Sequence, residues 1–193
     1  MLEGTRINLK VVEKEEIPHL VDMTNRPEFW GLYESPFQRS RTEMEKGIEE
    51  WKGSKRFFIQ KKDGSRVGLI NLFEVVPGFA AQFGLEIGYA LSPEERGKGY
   101  CTEAVTLLLD YSFLTTLVAR VQAHTDVRNV ASQRVLEKAG FVKEGTNRQS
   151  YFANGGMHDM FIFSILRKEW NGQNPEGEGL SCETRQVSRP APS

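Results

Sequence analysis

The sequence predicts an α+β domain built on a mixed, largely antiparallel sheet flanked by helices. Three stretches carry that expectation. "RFFIQKKDGSRVGLINLFEVV" (56–76) is two alternating strands around a Lys-Asp-Gly turn. "QFGLEIGYAL" (82–91) is a strand that leads through the turn "SPEERGKG" into a long apolar helix. The "NGG" of 154–156 turns a closing hairpin.

The remaining elements follow from periodicity. "RINLKVV" (6–12) reads as the first strand, with Ile7, Leu9 and Val11 alternating against Asn8 and Lys10. A short helix near 15–25 precedes the irregular "NRPEFWGLYESPFQRS", whose aromatics and prolines suit a pocket wall and plain loop packing equally. Thr42 reads as the N-cap of a helix carrying Met44, Ile48 and Trp51 at i, i+4 and i+7. After the strand at 82–91, which follows Pro77 and Gly78, Ala104, Leu107, Leu108 and Tyr111 mark the inner stripe of a helix ending near 114. "ARVQAHT" (119–125) is a strand. Asn129 to Ala139 form a helix with Ala131, Val135, Leu136 and Ala139 inward, and Gly140 closes it. The return strand "MFIFSIL" (160–166) is apolar on both faces, as expected of a strand inside the sheet. The order is β-α-α-β-β-β-α-β-α-β-β, over one domain from 6 to 170. From 171 to 193 the chain is rich in Gly, Pro, Ser and charge, and it cannot bury enough apolar surface to offset its ordering entropy, so a disordered tail is expected.

The totals narrow the partners. The 193 residues suit a single domain with one site. With 25 basic against 26 acidic residues there is no charge excess to attract nucleic acid or an anionic membrane. Cys101 and Cys182 are the only cysteines, which suggests neither a disulfide framework nor a zinc site, and His19, His124 and His158 have no metal-ligand spacing. No signal-like or membrane-length apolar run is present, so a soluble, cytoplasmic protein is expected. The composition leaves the oligomeric state open, a homodimer included.

The motif with the most chemistry is "ERGKGYCTEA" (95–104). Glycines at a helix N-terminus expose backbone N–H groups and the positive end of the dipole, and Arg96 and Lys98 add charge there. Taken alone, such a loop serves equally as a tight turn. It lacks the Lys-Ser/Thr ending of a Walker loop, and Thr102 stands where a dinucleotide fingerprint needs its third glycine.

Arg96, Gly97, Lys98, Gly99, Tyr100 and Cys101, together with "DVRNVASQRVLEKAGFVKEG", resemble the GNAT superfamily of acetyl-CoA-dependent N-acetyltransferases. The branch it looks like is the RimJ/RimL-like, ribosomal-protein alanine N-acetyltransferase type. The resemblance covers about 6 to 170. It implies a sheet splayed between two strands, with acetyl-CoA as acetyl donor bound where the strand ending at Leu91 parts from "ARVQAHT". Tyr89, Ala90 and Leu91 would meet the thioester, the loop through Thr102 the pyrophosphate, and Asn129 and Ser132 the cofactor from the next helix. Cys101 replaces the usual Gly or Ala and sets a thiol beside a thioester.

An acceptor amine must lose a proton before it attacks. At pH 7 that costs about 1 kcal/mol for an α-amine and about 4.6 kcal/mol for lysine. Glu86 is the candidate base, directly or through a water, with small neighbours Gly88 and Ala90 on its strand face. Ser132 and Tyr151 are the candidate donors to the leaving thiolate, although Ser132 equally serves the helix N-terminus and Tyr151 equally packs on its hairpin. The expected function is acetyl transfer to a primary amine, a protein N-terminal α-amine, with a small amine (antibiotic or polyamine) or a non-catalytic acetyl-CoA-binding module as alternatives. The segments 25–41 and 146–158 would frame the acceptor, and Asp159 is a further carboxylate beside the last turn.

Overall fold

A computed structural model describes residues 1–50, 54–75 and 84–172. Apolar alternation sets the sheet. After a two-residue strand β1 (Leu2–Glu3), β2 (Ile7–Val11) buries Ile7 and Leu9 completely and leaves Asn8 and Lys10 half-buried. Strands β3 (Lys55–Lys61) and β4 (Arg66–Glu74) form the expected hairpin, and β5 (Gly84–Leu91) adds antiparallel to β4. Strand β6 (Arg120–Asp126) follows, with the closing hairpin of β7 (Val142–Ala153) and β8 (Gly156–Leu166). The sheet order is β1-β2-β3-β4-β5-β6-β8-β7. The apolar strand β8 lies inside, between β6 and β7.

Among the described residues every pairing is antiparallel except β5 with β6, which is parallel and short. It runs through Gly84↔Arg120, Leu85↔Val121 and Glu86↔Gln122 only. Beyond Glu86 the two strands part and the sheet opens into a V.

Helices cover both faces. Helix α1 (Ile17–Thr24), the short α2 (Pro27–Trp30) and α3 (Arg41–Glu50) pack Ile17, Leu20, Met23, Phe29 and Met44 on Phe58 and Leu69. Helices α4 (Tyr100–Thr115) and α5 (Val130–Lys138) cover the other face, over Ile7, Leu9, Phe57, Ile59, Ile87 and Val121. Three expectations shift. The cap of α3 is Ser40, whose Oγ accepts from Glu43 N–H (3.2 Å) while the Glu43 carboxylate accepts from Ser40 N–H (2.7 Å), so the helix begins before Thr42. On α4 the buried stripe is Ala104, Val105, Leu108, Leu109, Ser112 and Phe113, which rotates Leu107 and Tyr111 to its margin. On α5 only Leu136 is fully buried; Val135 and Ala139 pack beside it, and Ala131 is exposed.

Helix α5 ends as expected at Gly140 (φ 89°), where Phe141 N–H bonds Leu136 O (3.0 Å) and Gly140 N–H bonds Glu137 O (3.1 Å). Trp51, Pro77, Gly78 and the stretch 173–193 lie outside the described residues. Among the described residues no helix is long and apolar enough to cross a membrane.

Candidate active site

The glycine loop is held from behind. Gly97 (φ 74°) and Gly99 (φ 82°) adopt the left-handed conformation, which turns the carbonyls of Lys98 and Gly99 toward β2. There Arg6 donates to both, at 2.8 and 3.2 Å, while its Nε meets Glu103 Oε2 at 2.9 Å and its backbone N–H meets Glu103 Oε1 at 2.7 Å. The first backbone hydrogen bond of α4 runs from Glu103 N–H to Gly99 O (3.2 Å). The N–H groups of Gly97 through Thr102 therefore precede the helical ladder, and none meets an acceptor among the described residues. A Cβ placed at Gly97 would touch nothing within 4 Å, so the open side of this cradle admits a ligand. Such a ring of N–H groups at a helix N-terminus fits a pyrophosphate.

The side-chain charges expected there are already engaged. Arg96 donates to Leu91 O (3.0 Å), Glu28 O (2.9 Å) and Phe29 O (2.9 Å), tying the loop to the end of β5 and to α2. Lys98 pairs with Glu95 at 2.9 Å. What the loop offers an anion is chiefly backbone. Burial pushes the Cys101 thiol up to about 12 despite the opposing Arg96 charge, so it stays protonated and unreactive at neutral pH.

The V supplies a second set of donors. Ser92 N–H bonds Val67 O (2.9 Å) and Val75 N–H bonds Gly84 O (3.3 Å), which fixes the alternation along β5. The even-numbered residues, Ala90 included, turn their N–H groups to β4, and those of Tyr89 and Leu91 open toward the gap. Of the three backbone positions expected to face a thioester, Ala90 therefore does not present its amide. The Tyr89 hydroxyl reaches α5, 2.9 Å from Ser132 Oγ and 3.2 Å from Ser132 O, and burial raises its pKa. Asn129 is spent as the N-cap of α5, its Oδ1 accepting from Ser132 N–H (3.1 Å).

Glu86 projects on the opposite face, where β6 contributes Gln122, His124 and Asp126 by alternation. Gln122 Nε2 donates to Glu86 Oε2 (3.1 Å), and His124 Nδ1 lies 3.3 Å from Glu86 Oε1. Burial pushes the Glu86 carboxyl up, but the His124 and Gln122 contacts outweigh it and hold it below the usual range. The Glu86 contact in turn raises His124, against its own burial. Asp126 is buried and paired with Arg128 at 2.6 Å. The segments 25–41 and 146–158 do meet. Asn154 N–H bonds Ser35 Oγ (3.0 Å), Asn154 Nδ2 bonds Leu32 O (3.1 Å), and Tyr151 O–H donates to the Glu34 carboxylate. Burial, together with the charge of Asp126, raises Glu34 despite the Tyr151 bond. Asp159 lies apart as a strand brace, its Oδ1 accepting from Gln149 N–H (2.8 Å).

Sequence reasoning missed Arg6, Glu34 and His124. Each acts through a partner distant along the chain, and only the strand register of β5 with β6 puts Gln122 and His124 beside Glu86.

Residues 6–142 match the family model described as the acetyltransferase (GNAT) domain. The probable N-acetyltransferase YjcK of Bacillus subtilis is 38% identical over 133 residues, 68% of this chain and 72% of YjcK. The putative ribosomal N-acetyltransferase YdaF of the same organism is 36% identical over 58% of this chain and 59% of its own length. Among solved structures, the spermidine N-acetyltransferase of Vibrio cholerae in complex with CoA and spermine superposes with a TM-score of 0.74 over 86% of this chain and 98% of that one, at 24% identity.

Proposed function

The chain belongs to the GNAT acetyltransferase family and is an N-acetyltransferase that uses acetyl-CoA, and from that premise we propose that its acceptor is a protein N-terminal α-amine. Bound acetyl-CoA supplies an activated acetyl thioester. The N–H groups from Gly97 to Thr102 hold its pyrophosphate, with Arg6 and Arg96 fixing the loop from behind. Tyr89 N–H, opening into the V, polarises the thioester carbonyl. Ser132 Oγ, oriented by the Asn129 cap and the Tyr89 hydroxyl, donates to the departing sulfur. Tyr151 holds Glu34. Glu86 provides the negative charge toward which the amine's proton moves, directly or through a neighbour.

One observation carries the choice of acceptor. Among the described residues on the face bearing Glu86, the acids already have partners: both Glu86 oxygens are engaged, by His124 and Gln122, and Asp126 is paired with Arg128. Glu34, held by the neutral Tyr151 hydroxyl, is left to meet one ammonium. A single free carboxylate suits a singly charged α-amine, whereas a polyamine carries successive charges that call for successive free acids. The ribosomal relative supports the same choice.

The test is acetyl-CoA-dependent thiol release with three acceptors: a peptide with a free N-terminus, the same peptide N-terminally blocked but containing lysine, and spermidine. The free N-terminus is expected to give the highest kcat/KM. Preference for spermidine or the blocked lysine peptide refutes the α-amine reading, and silence with all three favours a binding module.

A further inference from the structure

The two nitrogens of His124 are in different situations. Nδ1 lies 3.3 Å from Glu86 Oε1, while Nε2 has no partner among the described residues. The second Glu86 oxygen is occupied by Gln122 Nε2 at 3.1 Å. Both oxygens of the carboxylate are thus engaged with β6, and the nitrogen left open on that face belongs to the imidazole. We propose that His124 is the catalytic base of the acetyl transfer, receiving the acceptor's proton on Nε2, and that Glu86 is the positioning residue that holds Nδ1–H. The proposal rests on the N-acetyltransferase reading above and names which side chain carries the proton.

Proton affinities agree with the geometry. A carboxylate held below its usual value of about 4.3 lies more than three decades from an α-ammonium near 7.8, and an imidazole raised above about 6.5 lies within roughly one. The charged groups bearing on His124 are few. Glu86 on β5 favours the imidazolium. Arg120, four residues back on the same face, opposes it and is itself paired with Glu144 of β7 at 2.7 Å. Asp126, two residues on, is taken by Arg128, and the residue opposite His124 on β8 is Ile162.

The proton and electron count closes. An N–H bond of the ammonium breaks and its proton goes to Nε2. The freed pair on nitrogen attacks the acetyl carbon, the C–S bond breaks with its electrons moving to sulfur, and a second nitrogen proton ends on that sulfur. His124 then returns its proton to solvent.

The experiment measures kcat/KM between pH 5.5 and 9.5 for His124→Gln and Glu86→Gln as ratios to wild type, which cancels the amine's own titration. Nuclear magnetic resonance of the histidine rings and CoA affinity are measured alongside. His124→Gln is expected to bind CoA normally and to run about a hundredfold slower above neutrality, the ratio climbing toward one as wild-type His124 becomes protonated. Glu86→Gln should keep most activity at pH 9, and its His124 titration should move to lower pH together with its rate profile. A His124→Gln ratio near one at every pH, or a Glu86→Gln enzyme dead throughout while His124→Gln works, overturns the assignment. Wild type silent on every amine refutes the transferase reading instead. The ring titration then still decides the pair, since a His124 midpoint unmoved by Glu86→Gln refutes it.

Discussion

Arg6 shows how one side chain fixes the conformation of a glycine loop. Two carbonyls and the Glu103 carboxylate take its guanidinium, with Tyr100 stacked at 5.6 Å, so the loop's acceptors face inward and its donors outward. Replacing it leaves the glycines free to sample other turns, and the ordering is then supplied by the ligand. Arg6→Ala is therefore expected to weaken CoA binding about tenfold by calorimetry, in line with the loss of one or two charge-assisted hydrogen bonds. Arg6→Lys should recover only part of it, because an ammonium does not fork to two carbonyls and a carboxylate at once. CoA affinity unchanged in Arg6→Ala removes the clamp from the account. No sequence pattern announces this residue, since Arg6 precedes an ordinary strand and its partners lie more than 90 positions away.

At the scale of the element, the two ends of α5 make different contacts. Its first turn is capped by Asn129 and delivers Ser132 to Tyr89, and its last turn is closed by Gly140 far from the V. Asn129→Ala and Gly140→Ala should each cost about 1 kcal/mol, a fall of roughly 2–4 °C in melting temperature for a chain of this size. Only Asn129→Ala is expected to lower kcat as well. Equal kinetic losses in both would mean that α5 acts through global stability alone. The Gly140 cap, the hairpins and the interior strand β8 were legible because they depend on neighbours within a few residues, whereas Asn129, read from the sequence as a helix residue facing the cofactor, proved to be the N-cap. The stripe of α4 was less so: Val105, Leu109 and Phe113 are as apolar as Leu107, and the twist of the sheet beneath decides which are covered. The same limit applies to the site. Glu86 and the glycine loop are readable in one dimension, but the partners of Glu34 and His124 come only from the contact of 25–41 with 146–158 and the register of β5 on β6.

Across the whole molecule, the two sheet faces differ in chemistry, the glycine loop opening α4 on the face that α4 and α5 cover and Glu86, His124 and Asp126 lying on the opposite face. Charge placement on the acid face has a stability consequence of either sign. Asp126 and Glu86 are held below the usual carboxylate range, so each contributes stability at neutral pH that is lost as pH falls through its folded value. Glu34 behaves oppositely. Its raised pKa means that the folded state binds its proton more tightly than the unfolded chain, so its ionisation costs stability as pH rises above the ordinary carboxylate range. Glu34→Gln keeps an acceptor for the Tyr151 hydroxyl and removes that charge. It should melt on the order of 1–2 °C higher than wild type at pH 7, with the gain vanishing near pH 4, where both proteins are neutral at this position. If Glu34 is kept for the acceptor ammonium, the same variant must lose function while gaining stability: a higher KM for a free N-terminal peptide, with CoA affinity unchanged. A variant that melts higher and acetylates as well as wild type would leave Glu34 a buried cost without a use, and the acceptor would have to bind elsewhere on the face.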